Sequence, residues 1–323
     1  MVDDATLRQA LGNTLDASDF PELGSKYEGK VRDNYSKDGT RWIIVTDRIS
    51  AFDRVLGTLP FKGQVLNRMA AWWFDKTKSV VPNHVIATPD PNVLECIDCT
   101  PIMVEMVVRA YATGTTSTSL WTHYEKGARV FCGHTLPDGL KKHQRLPAPI
   151  LTPTTKAPKG EHDVSGSREE ILATKQVTAE DFDAAAALAM KLFAAGQSLC
   201  AERGLILVDT KYEFGKTKDG KVVVIDEIHT PDSSRFWKSA TYDARMAKGE
   251  DPEAFDKDVV RRHYNSIGYK GDGDAPPIPD DVRVGAAKRY IEAFEMITGE
   301  AFVPNTEAPV PRMRKNLKLG DSR

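Results

Sequence analysis

Cysteine is scarce in this sequence, with four residues in a chain of 323. That is too few for a disulfide scaffold in a chain of this length. Cys96 and Cys99 have C-x-x-C spacing, but no second Cys pair or His pair stands at the distance that a zinc site needs. We therefore expect reduced thiols rather than a disulfide framework, a zinc site or a redox centre.

An excess of charge of either sign is also absent. The chain has 44 Lys and Arg against 46 Asp and Glu, a formal net charge of −2. This balance predicts no nucleic-acid partner and no membrane surface, and any basic site must be local, as suits a small anionic ligand. No apolar run is expected to reach the length of a membrane span, and residues 1–4 lack the basic start of a signal peptide. We expect a cytoplasmic protein, of an oligomeric state that the sequence leaves open.

The familiar nucleotide-binding signatures are missing as well. Residues 24–33 contain two glycines, with the cations Lys30 and Arg32 directly after the second, but match neither a Walker A nor a G-x-G-x-x-G sequence. Glycines and cations before a strand can hold phosphates, although an ordinary glycine turn with surface lysines explains them too. The chain has no H-R-D-type loop and no D-F-G sequence, which argues against a protein kinase.

The most informative stretch that is present runs from residue 204 to residue 237. Apolar residues alternate there with Asp209, Lys211 and Glu213, and a return run ends at Asp226, which predicts a β-hairpin. An Asp-Gly turn at 219–220, closed by its two flanking lysines, would place Glu213 directly opposite Asp226. Two carboxylates about 5 Å apart on one face repel each other unless a cation lies between them, and oxygen ligands of this kind suit Mg²⁺. The alternative is a plain solvated hairpin face.

Helices and antiparallel strands occur in separate blocks, which predicts an α+β fold rather than a doubly wound sheet. Helices are expected over residues 63–76, 178–203 and 284–298, the second with Thr178 as its N-cap. Strands are expected over residues 30–35, 42–45 and 102–108, and residues 136–175 are expected to be largely irregular.

Two further segments are candidates for binding a phosphate monoester. Arg109 is followed by a run of hydroxyl residues that includes Thr115, a pattern that suits a phosphate cradle or, equally, a helix N-cap. Ser234 and Arg235 follow the hairpin and can reach the same anion, unless they only form a turn. His162 and Asp163 lie in the Lys/Pro/Gly-rich segment, where a lone histidine is usually just solvated.

Seven stretches in order resemble the phosphoribosylaminoimidazole-succinocarboxamide synthase (SAICAR synthetase) family over about residues 20–300. They are YEGKVRDNY (Tyr27–Tyr35), VTDRISAFD (Val45–Asp53), KGQVLNRMAAWWF (Lys62–Phe74), EMVVRAYATGT (Glu105–Thr115), TKAPKGEHD (Thr155–Asp163), LILVDTKYEFG (Leu205–Gly215) and VVVIDEIHTPDSSRFW (Val222–Trp237). The resemblance implies ATP-dependent joining of L-aspartate to carboxyaminoimidazole ribonucleotide, through an acyl phosphate. It also implies two α+β lobes of mainly antiparallel sheets flanked by helices, with a kinase-like ATP cleft between them: a nucleotide-binding lobe over 1–105 and a metal- and substrate-binding lobe over 106–323.

The resemblance also implies a role for each matching residue. Lys211 and Asp209 lie beside the reacting groups; Lys30, Arg32 and Glu105 meet ATP; Glu213 and Asp226 bind Mg²⁺. Substrate contacts fall on Arg109, Thr115, Arg235, Ser234, His162, Asp163, Ser50 and Asp53. Thr115 is a departure, because a serine is more usual there, but the hydroxyl is kept.

Two rival functions fit parts of the same pattern. A phosphotransferase of similar architecture would stop after transferring phosphate, and would release ADP without aspartate. A non-catalytic nucleotide-binding protein would bind ATP without turnover, although each acid and cation that the ligase reaction needs is present.

Overall fold

The computed structural model describes residues 2–52, 54–156, 163–254 and 258–320. Two predicted site residues, Asp53 and His162, lie outside the described residues. The strands are β1 (Ser25–Glu28), β2 (Arg32–Lys37), β3 (Thr40–Val45), β4 (Arg48–Ala51), β5 (Arg54–Thr58), β6 (Val85–Asp90), β7 (Val93–Ile97), β8 (Thr100–Pro101), β9 (Val104–Tyr111), β10 (Val130–Phe131), β11 (His134–Thr135), β12 (Arg145–Leu151), β13 (Thr154–Thr155), β14 (Leu205–Lys216), β15 (Val222–Ile225) and β16 (Ser234–Lys238).

The α-helices of the described residues lie mostly in other parts of the chain than the long strands, as an α+β fold requires. They are α1 (Asp4–Gln9), α2 (Lys62–Thr77), α3 (Leu120–Glu125), α4 (Arg168–Ala173), α5 (Ala179–Glu202), α6 (Ser239–Lys248), α7 (Asp258–Ser266), α8 (Asp280–Thr298) and α9 (Pro309–Asn316).

The first large sheet is antiparallel and has the strand order β1-β2-β3-β7-β6. Its β2–β3 hairpin turns at Asp38 and Gly39, which have φ values of 52° and 82°, as a two-residue turn of this kind needs. Helix α2 covers this sheet with Val65, Met69 and Trp73 among its buried residues, so the predicted helix over 63–76 is confirmed.

The second large sheet is built around β9 and β14, in the order β12-β9-β14-β15, with β13 beside β9 and with β8 and β16 beside β14. Helix α5 packs on β14 and β9. It begins after Thr178, whose side chain accepts a hydrogen bond from the Asp181 backbone N–H, and Gly204 follows its end with φ 68°, both as predicted.

Helix α5 contradicts the expectation that no segment is long and apolar enough for a membrane span. By length and composition alone its 24 residues meet that criterion. Its buried residues, among them Phe182, Leu192 and Phe193, belong to the hydrophobic core. A single helix of this kind is weak evidence for a span, because a helix packed in a protein core has the same composition.

The predicted register of the β14–β15 hairpin is wrong by one residue. Glu213 pairs with Ile225 rather than Asp226, and the pairing ends at Lys216 and Val222. The Thr217 backbone N–H donates to the Lys221 carbonyl, so a three-residue loop with Gly220 at φ 83° replaces the two-residue turn. The Thr217 hydroxyl stabilises the wider loop, since it accepts from the Lys221 N–H at 3.1 Å.

The prediction that residues 136–175 are irregular is wrong in part. Strand β12 pairs with the free edge of β9, β13 adds to the other end of β9, and α4 follows. The start of α4 is a capping box between Ser167 and Glu170, a signal that is visible in the sequence. Helix α8 also begins earlier than predicted, at Asp280, and ends as predicted before Gly299.

Gly63, near the start of α2, lies where this helix approaches the first sheet closely enough to leave no room for a side chain. A Cβ at Gly63 would lie 2.2 Å from the Val45 carbonyl oxygen, which is a backbone atom of β3. We expect Gly63→Ala to lower the free energy of unfolding by about 1–3 kcal/mol, because the helix must shift. Urea unfolding followed by circular dichroism measures this change.

Gly285→Ala is the matched control, because a Cβ at Gly285 in α8 meets nothing within 4 Å. It should leave stability unchanged or raise it by up to about 1 kcal/mol, since alanine favours helix. Equal effects of the two substitutions would contradict the close approach at Gly63.

Candidate active site

A cavity of about 590 Å³ lies where β9, β14 and the start of β16 meet. Its lining includes three arginines, two lysines, several hydroxyl side chains and several acids. The predicted site residues that line it are Glu105, Arg109, Thr115, Asp163, Asp209, Lys211, Ser234 and Arg235. The structure thus brings together eight predicted residues from four separate stretches of sequence.

Asp209 lies between two arginines in the middle of this cavity. The strand register places Arg109 of β9 and Arg235 of β16 opposite Asp209 of β14 on its two sides. Asp209 Oδ2 lies 3.4 Å from Arg109 Nη1, and Oδ1 lies 3.1 Å from Arg235 Nε. One carboxylate therefore pairs with two guanidinium groups. Together the three side chains carry a net positive charge, which suits an anionic ligand.

Burial distinguishes the two arginines. Burial lowers the pKa of Arg109, opposed by Asp209 and assisted by Arg235. Its Nε donates to Thr152 Oγ1 at 2.9 Å and its Nη2 to the Thr118 carbonyl at 3.0 Å, so the guanidinium is held rigidly. The side chain of Arg235 is 41% exposed and can meet a ligand in the cavity.

The hydroxyl cluster after β9 forms the wall beside Arg235. A Cβ at Gly114, which has φ 103°, would lie 2.3 Å from Ser119 Oγ and 3.0 Å from Arg235 Nη1, so only glycine fits there. Thr116 Oγ1 and Ser119 Oγ are 2.8 Å apart. The alternative prediction for this stretch is a helix N-cap. Ser119 does precede α3, but its side chain makes no capping hydrogen bond.

Beside this cavity lies a group of acids and cations that starts at Lys211. Lys211 Nζ donates to Glu105 Oε1 at 2.7 Å and lies 3.8 Å from Glu213 Oε1. Lys156 Nζ donates to Glu213 Oε2 at 2.5 Å. Glu105 and Lys211 line the cavity, so they connect it to this acidic group.

Arg32 joins the group from the first sheet. Its Nη1 lies 2.8 Å from both carboxylate oxygens of Asp226, and its Nη2 pairs with Glu227. The pairing places Glu213, one predicted metal ligand, opposite Ile225. Asp226, the other predicted ligand, follows β15 with a left-handed backbone (φ 68°), and the charge of Glu213 still acts on its carboxylate. Burial raises the pKa of Asp226, Arg32 opposes the rise, and Glu213 and Glu227 add to it.

The pKa of Glu213 moves in the other direction. Burial disfavours its charge, but Lys211 and Lys156 outweigh burial and lower the pKa. Burial likewise opposes the charge of Lys211, and Glu105 and Glu213 still raise its pKa. These acids and cations stabilise one another in the ionised state.

The donor set fits Mg²⁺ shared with a nucleotide better than a metal ion held by protein alone. Within the described ranges, no group of three or more His, Cys, Asp or Glu side chains is arranged to hold a metal ion. Mg²⁺ typically takes one or two carboxylates and completes its shell with phosphate oxygens and water. Glu213 and Asp226, whose negative charges disfavour each other, can supply the carboxylates.

Some predicted residues lie away from the cavity. Lys30 is exposed beside the β1–β2 turn, and Ser50 lies on β4; neither lines the cavity. Arg32, Glu213 and Asp226 belong to the adjoining acidic group instead.

Sequence reasoning missed Lys156, Glu227, Lys142, His143 and Asp251. Lys156 follows β13, whose pairing with β9 sets Thr154 opposite Glu105, and this long-range pairing was not predicted. Glu227 directly follows Asp226 in the sequence, and this adjacency could have marked it as a member of the same acidic group. Lys142, His143 and Asp251 also line the cavity, and His143 Nε2 lies 2.8 Å from Asp251 Oδ1.

Comparison with known proteins places this geometry in a family. The model of the family described as SAICAR synthetase matches residues 25–277. The chain belongs to the SAICAR synthetase family. The phosphoribosylaminoimidazole-succinocarboxamide synthase of Legionella pneumophila (strain Paris) is 50% identical over 283 residues, which cover 87% of this chain and 90% of that protein.

Two solved SAICAR synthetase structures share the fold. The SAICAR synthase of Saccharomyces cerevisiae, complexed with SAICAR, is 30% identical with a TM-score of 0.77 and covers 90% of this chain and 100% of its own. A SAICAR synthetase in complex with ADP is 25% identical with a TM-score of 0.65 and covers 87% of this chain and 100% of its own. The predicted family and α+β fold are thereby confirmed.

Because two arginines share the Asp209 carboxylate, we expect its loss to lower the stability of the protein strongly. Asp209→Asn leaves the buried Arg109 without its charge partner, so we expect a loss of about 3 kcal/mol in the free energy of unfolding. Inorganic phosphate should recover part of that loss, because it supplies a negative charge to both arginines. Urea unfolding with and without phosphate measures both effects.

Asp138→Asn is the control, because the Arg129–Asp138 pair is also an Arg–Asp contact but its carboxylate is 90% exposed. It should leave the urea midpoint nearly unchanged in either buffer. A loss in Asp209→Asn no greater than in this control would contradict the proposed charge balance.

Proposed function

We propose that this protein is an ATP-dependent ligase that joins L-aspartate to carboxyaminoimidazole ribonucleotide in de novo purine biosynthesis. The products are SAICAR, ADP and phosphate. The observation that carries the proposal is the position of β14, which supplies Asp209 to an arginine- and hydroxyl-lined cavity and Glu213 to the adjoining acidic group. Lys211 lies between the two on the same strand.

The reaction needs an activated carboxylate, because a free carboxylate is a poor electrophile. A carboxylate oxygen of the ribonucleotide attacks the γ-phosphorus of ATP, and ADP leaves. The aspartate amine then attacks the carbonyl carbon of the acyl phosphate, a C–N bond forms, the C–O bond to phosphate breaks, and the ammonium loses a proton. Such transfers depend on positioning and charge neutralisation more than on covalent catalysis, which suits a site of cations, acids and hydroxyls.

The ribonucleotide phosphate is assigned to the Arg109–Arg235 side of the cavity. The guanidinium groups, the hydroxyl of Thr115 and the Gly114 backbone form a cradle of donors for a phosphate monoester, and Ser234 lines the cavity next to Arg235. Asp163 lines the same cavity and is assigned to the substrate. His162, Ser50 and Asp53 keep the substrate-binding roles that the family resemblance implies.

The nucleotide phosphates are assigned to the acidic group and its cations. Lys30, Arg32 and Glu105 contact ATP, and Lys211 and Asp209 lie beside the reacting carboxylate and phosphoryl group. Glu213 and Asp226 would hold Mg²⁺, which supplies charge neutralisation for the transferring phosphoryl group.

The remaining assignments concern the whole chain. We assign residues 1–105 to a nucleotide-binding lobe and residues 106–323 to a lobe with the metal and substrate sites. The segment between Thr100 and Val108, which contains β8 and most of β9, is assigned to the adenine contact between them. The proposed location is cytoplasmic.

Substrate-dependent ADP release tests the function directly. The purified protein with Mg-ATP should release ADP only when both the ribonucleotide and L-aspartate are present, and SAICAR should form in equal amount. Release without aspartate would indicate a simple phosphotransferase. ATP binding with no turnover in the presence of both substrates would indicate a non-catalytic protein.

Asp226→Asn tests the metal assignment. The substitution keeps the side-chain shape and removes one carboxylate charge, so we expect turnover to fall by at least about 100-fold while the fold remains. Turnover across a Mg²⁺ titration and a circular dichroism spectrum measure these effects. Asp219→Asn in the exposed loop of the same hairpin is the control and should match the wild type. Near-normal turnover of Asp226→Asn with unchanged Mg²⁺ dependence would rule out the metal role.

Arg235→Ala tests the phosphate assignment. Loss of a charge-assisted contact should weaken ribonucleotide binding by about 2 kcal/mol, or roughly 30-fold, with a small change in the KM for ATP. Steady-state kinetics with each substrate varied in turn measures the difference. Arg129→Ala is the matched control, because its side chain is 44% exposed against 41% for Arg235. An effect confined to ATP would show that Arg235 meets the nucleotide instead.

A further inference from the structure

Lys62 is a fully buried lysine to which no role has yet been given. It is the first residue of α2, and its side chain is 0% exposed. A buried ammonium group is costly unless it is paired and hydrogen-bonded. Lys62 Nζ donates to Asp232 Oδ2 at 2.9 Å and lies 5.4 Å from the ring centroid of Tyr290.

Tyr290 holds the other oxygen of the same carboxylate. Its hydroxyl donates to Asp232 Oδ1 at 2.6 Å, and its ring is buried in α8. Asp232 itself lines the active-site cavity, while Lys62 and Tyr290 do not. Helices α2 and α8, which lie far apart in the sequence, therefore both donate hydrogen bonds to one carboxylate at the edge of the cavity.

Asp232 belongs to the tight turn that leads into β16. The backbone N–H groups of Ser233 and Ser234 both donate to the Thr230 carbonyl, at 3.1 and 2.9 Å. Ser234 Oγ donates in turn to Thr210 Oγ1 of β14 at 2.7 Å. Because the turn is this compact, a displacement of Asp232 moves Ser234 and Arg235, which both line the cavity.

The other end of the turn is tied to the acidic group. Thr230 Oγ1 donates to Glu227 Oε2 at 2.5 Å, and Glu227 pairs with Arg32. The Asp232 backbone N–H donates to Thr230 Oγ1 at 3.2 Å. The turn is therefore held both by Lys62 and Tyr290, through Asp232, and by Glu227 of the acidic group, through Thr230.

We propose that Lys62 and Tyr290 are positioning residues that act through Asp232 to hold Ser234 and Arg235 at the geometry for binding the substrate's phosphate monoester. The proposal rests on the proposed function for the identity of that substrate. A purely structural ion pair is the competing explanation, and it predicts lower stability with equal effects on all substrates.

Lys62→Met and Tyr290→Phe test the proposal, because the first removes the ammonium group, the second removes one hydroxyl, and both nearly keep the volume of the side chain. The KM for the ribonucleotide should rise about 10- to 100-fold in Lys62→Met and by a smaller factor in Tyr290→Phe. The KM for ATP should stay within about twofold in both. Lys76→Met, an exposed lysine of the same helix, is the matched control and should behave as the wild type.

A double-mutant cycle tests whether the effect passes through Asp232. If it does, Lys62→Met combined with Asp232→Asn should raise the ribonucleotide KM no further than Asp232→Asn alone. Additive effects would overturn the proposal, as would a proportional rise in the KM values for all three substrates. Tyr290→Phe supplies the answer if Lys62→Met does not fold, since it removes a single hydroxyl.

Calorimetric titration with the ribonucleotide separates this proposal from the proposed function. A wild-type protein that binds the ribonucleotide without turnover would refute the ligase function alone. A folded Tyr290→Phe variant and a folded Lys62→Met variant that both bind it as tightly as the wild type would refute the positioning role alone.

Discussion

The pairing of β14 with β9 on one side and β16 on the other is the constraint on which the site depends. It places Asp209 directly opposite Arg109 and Arg235, so two arginines that are far apart in the sequence share one carboxylate. A buried guanidinium needs such a partner, and a second arginine on the same carboxylate leaves positive charge unbalanced. The fold therefore keeps two like charges close together, an arrangement that suits an anionic ligand.

The acidic group beside the cavity also depends on β14, which supplies its side chains two and four residues beyond Asp209. Lys211 and Glu213 project from β14 on the side of Asp209, because side chains alternate with a period of two. Burial would neutralise these groups if they stood alone, but Lys156 and Arg32 keep Glu213 and Asp226 paired. The group is therefore a set of paired charges rather than a cluster of isolated acids.

The error in the hairpin register shows where sequence reasoning reaches its limit. Thr217 closes the loop with Lys221, which shifts the pairing by one residue and sets Ile225 opposite Glu213. Asp226 still reaches the acidic group because it leaves the strand with a left-handed backbone, which directs its side chain to Arg32. Neither the loop width nor this backbone conformation follows from alternation of apolar and polar residues.

The sequence by itself determined the local elements and the chemical type of the site. Period-two alternation in β14, helical spacing in α2 and α5, the capping of α5, and the turn at Asp38 and Gly39 are short-range properties, and the structure agrees with them. Only the tertiary structure decided which distant groups meet: Lys156 at Glu213, Arg32 at Asp226 and Lys62 at Asp232. These contacts span tens to hundreds of residues, and they exist because sheet register and helix packing bring the elements together, which local propensity does not encode.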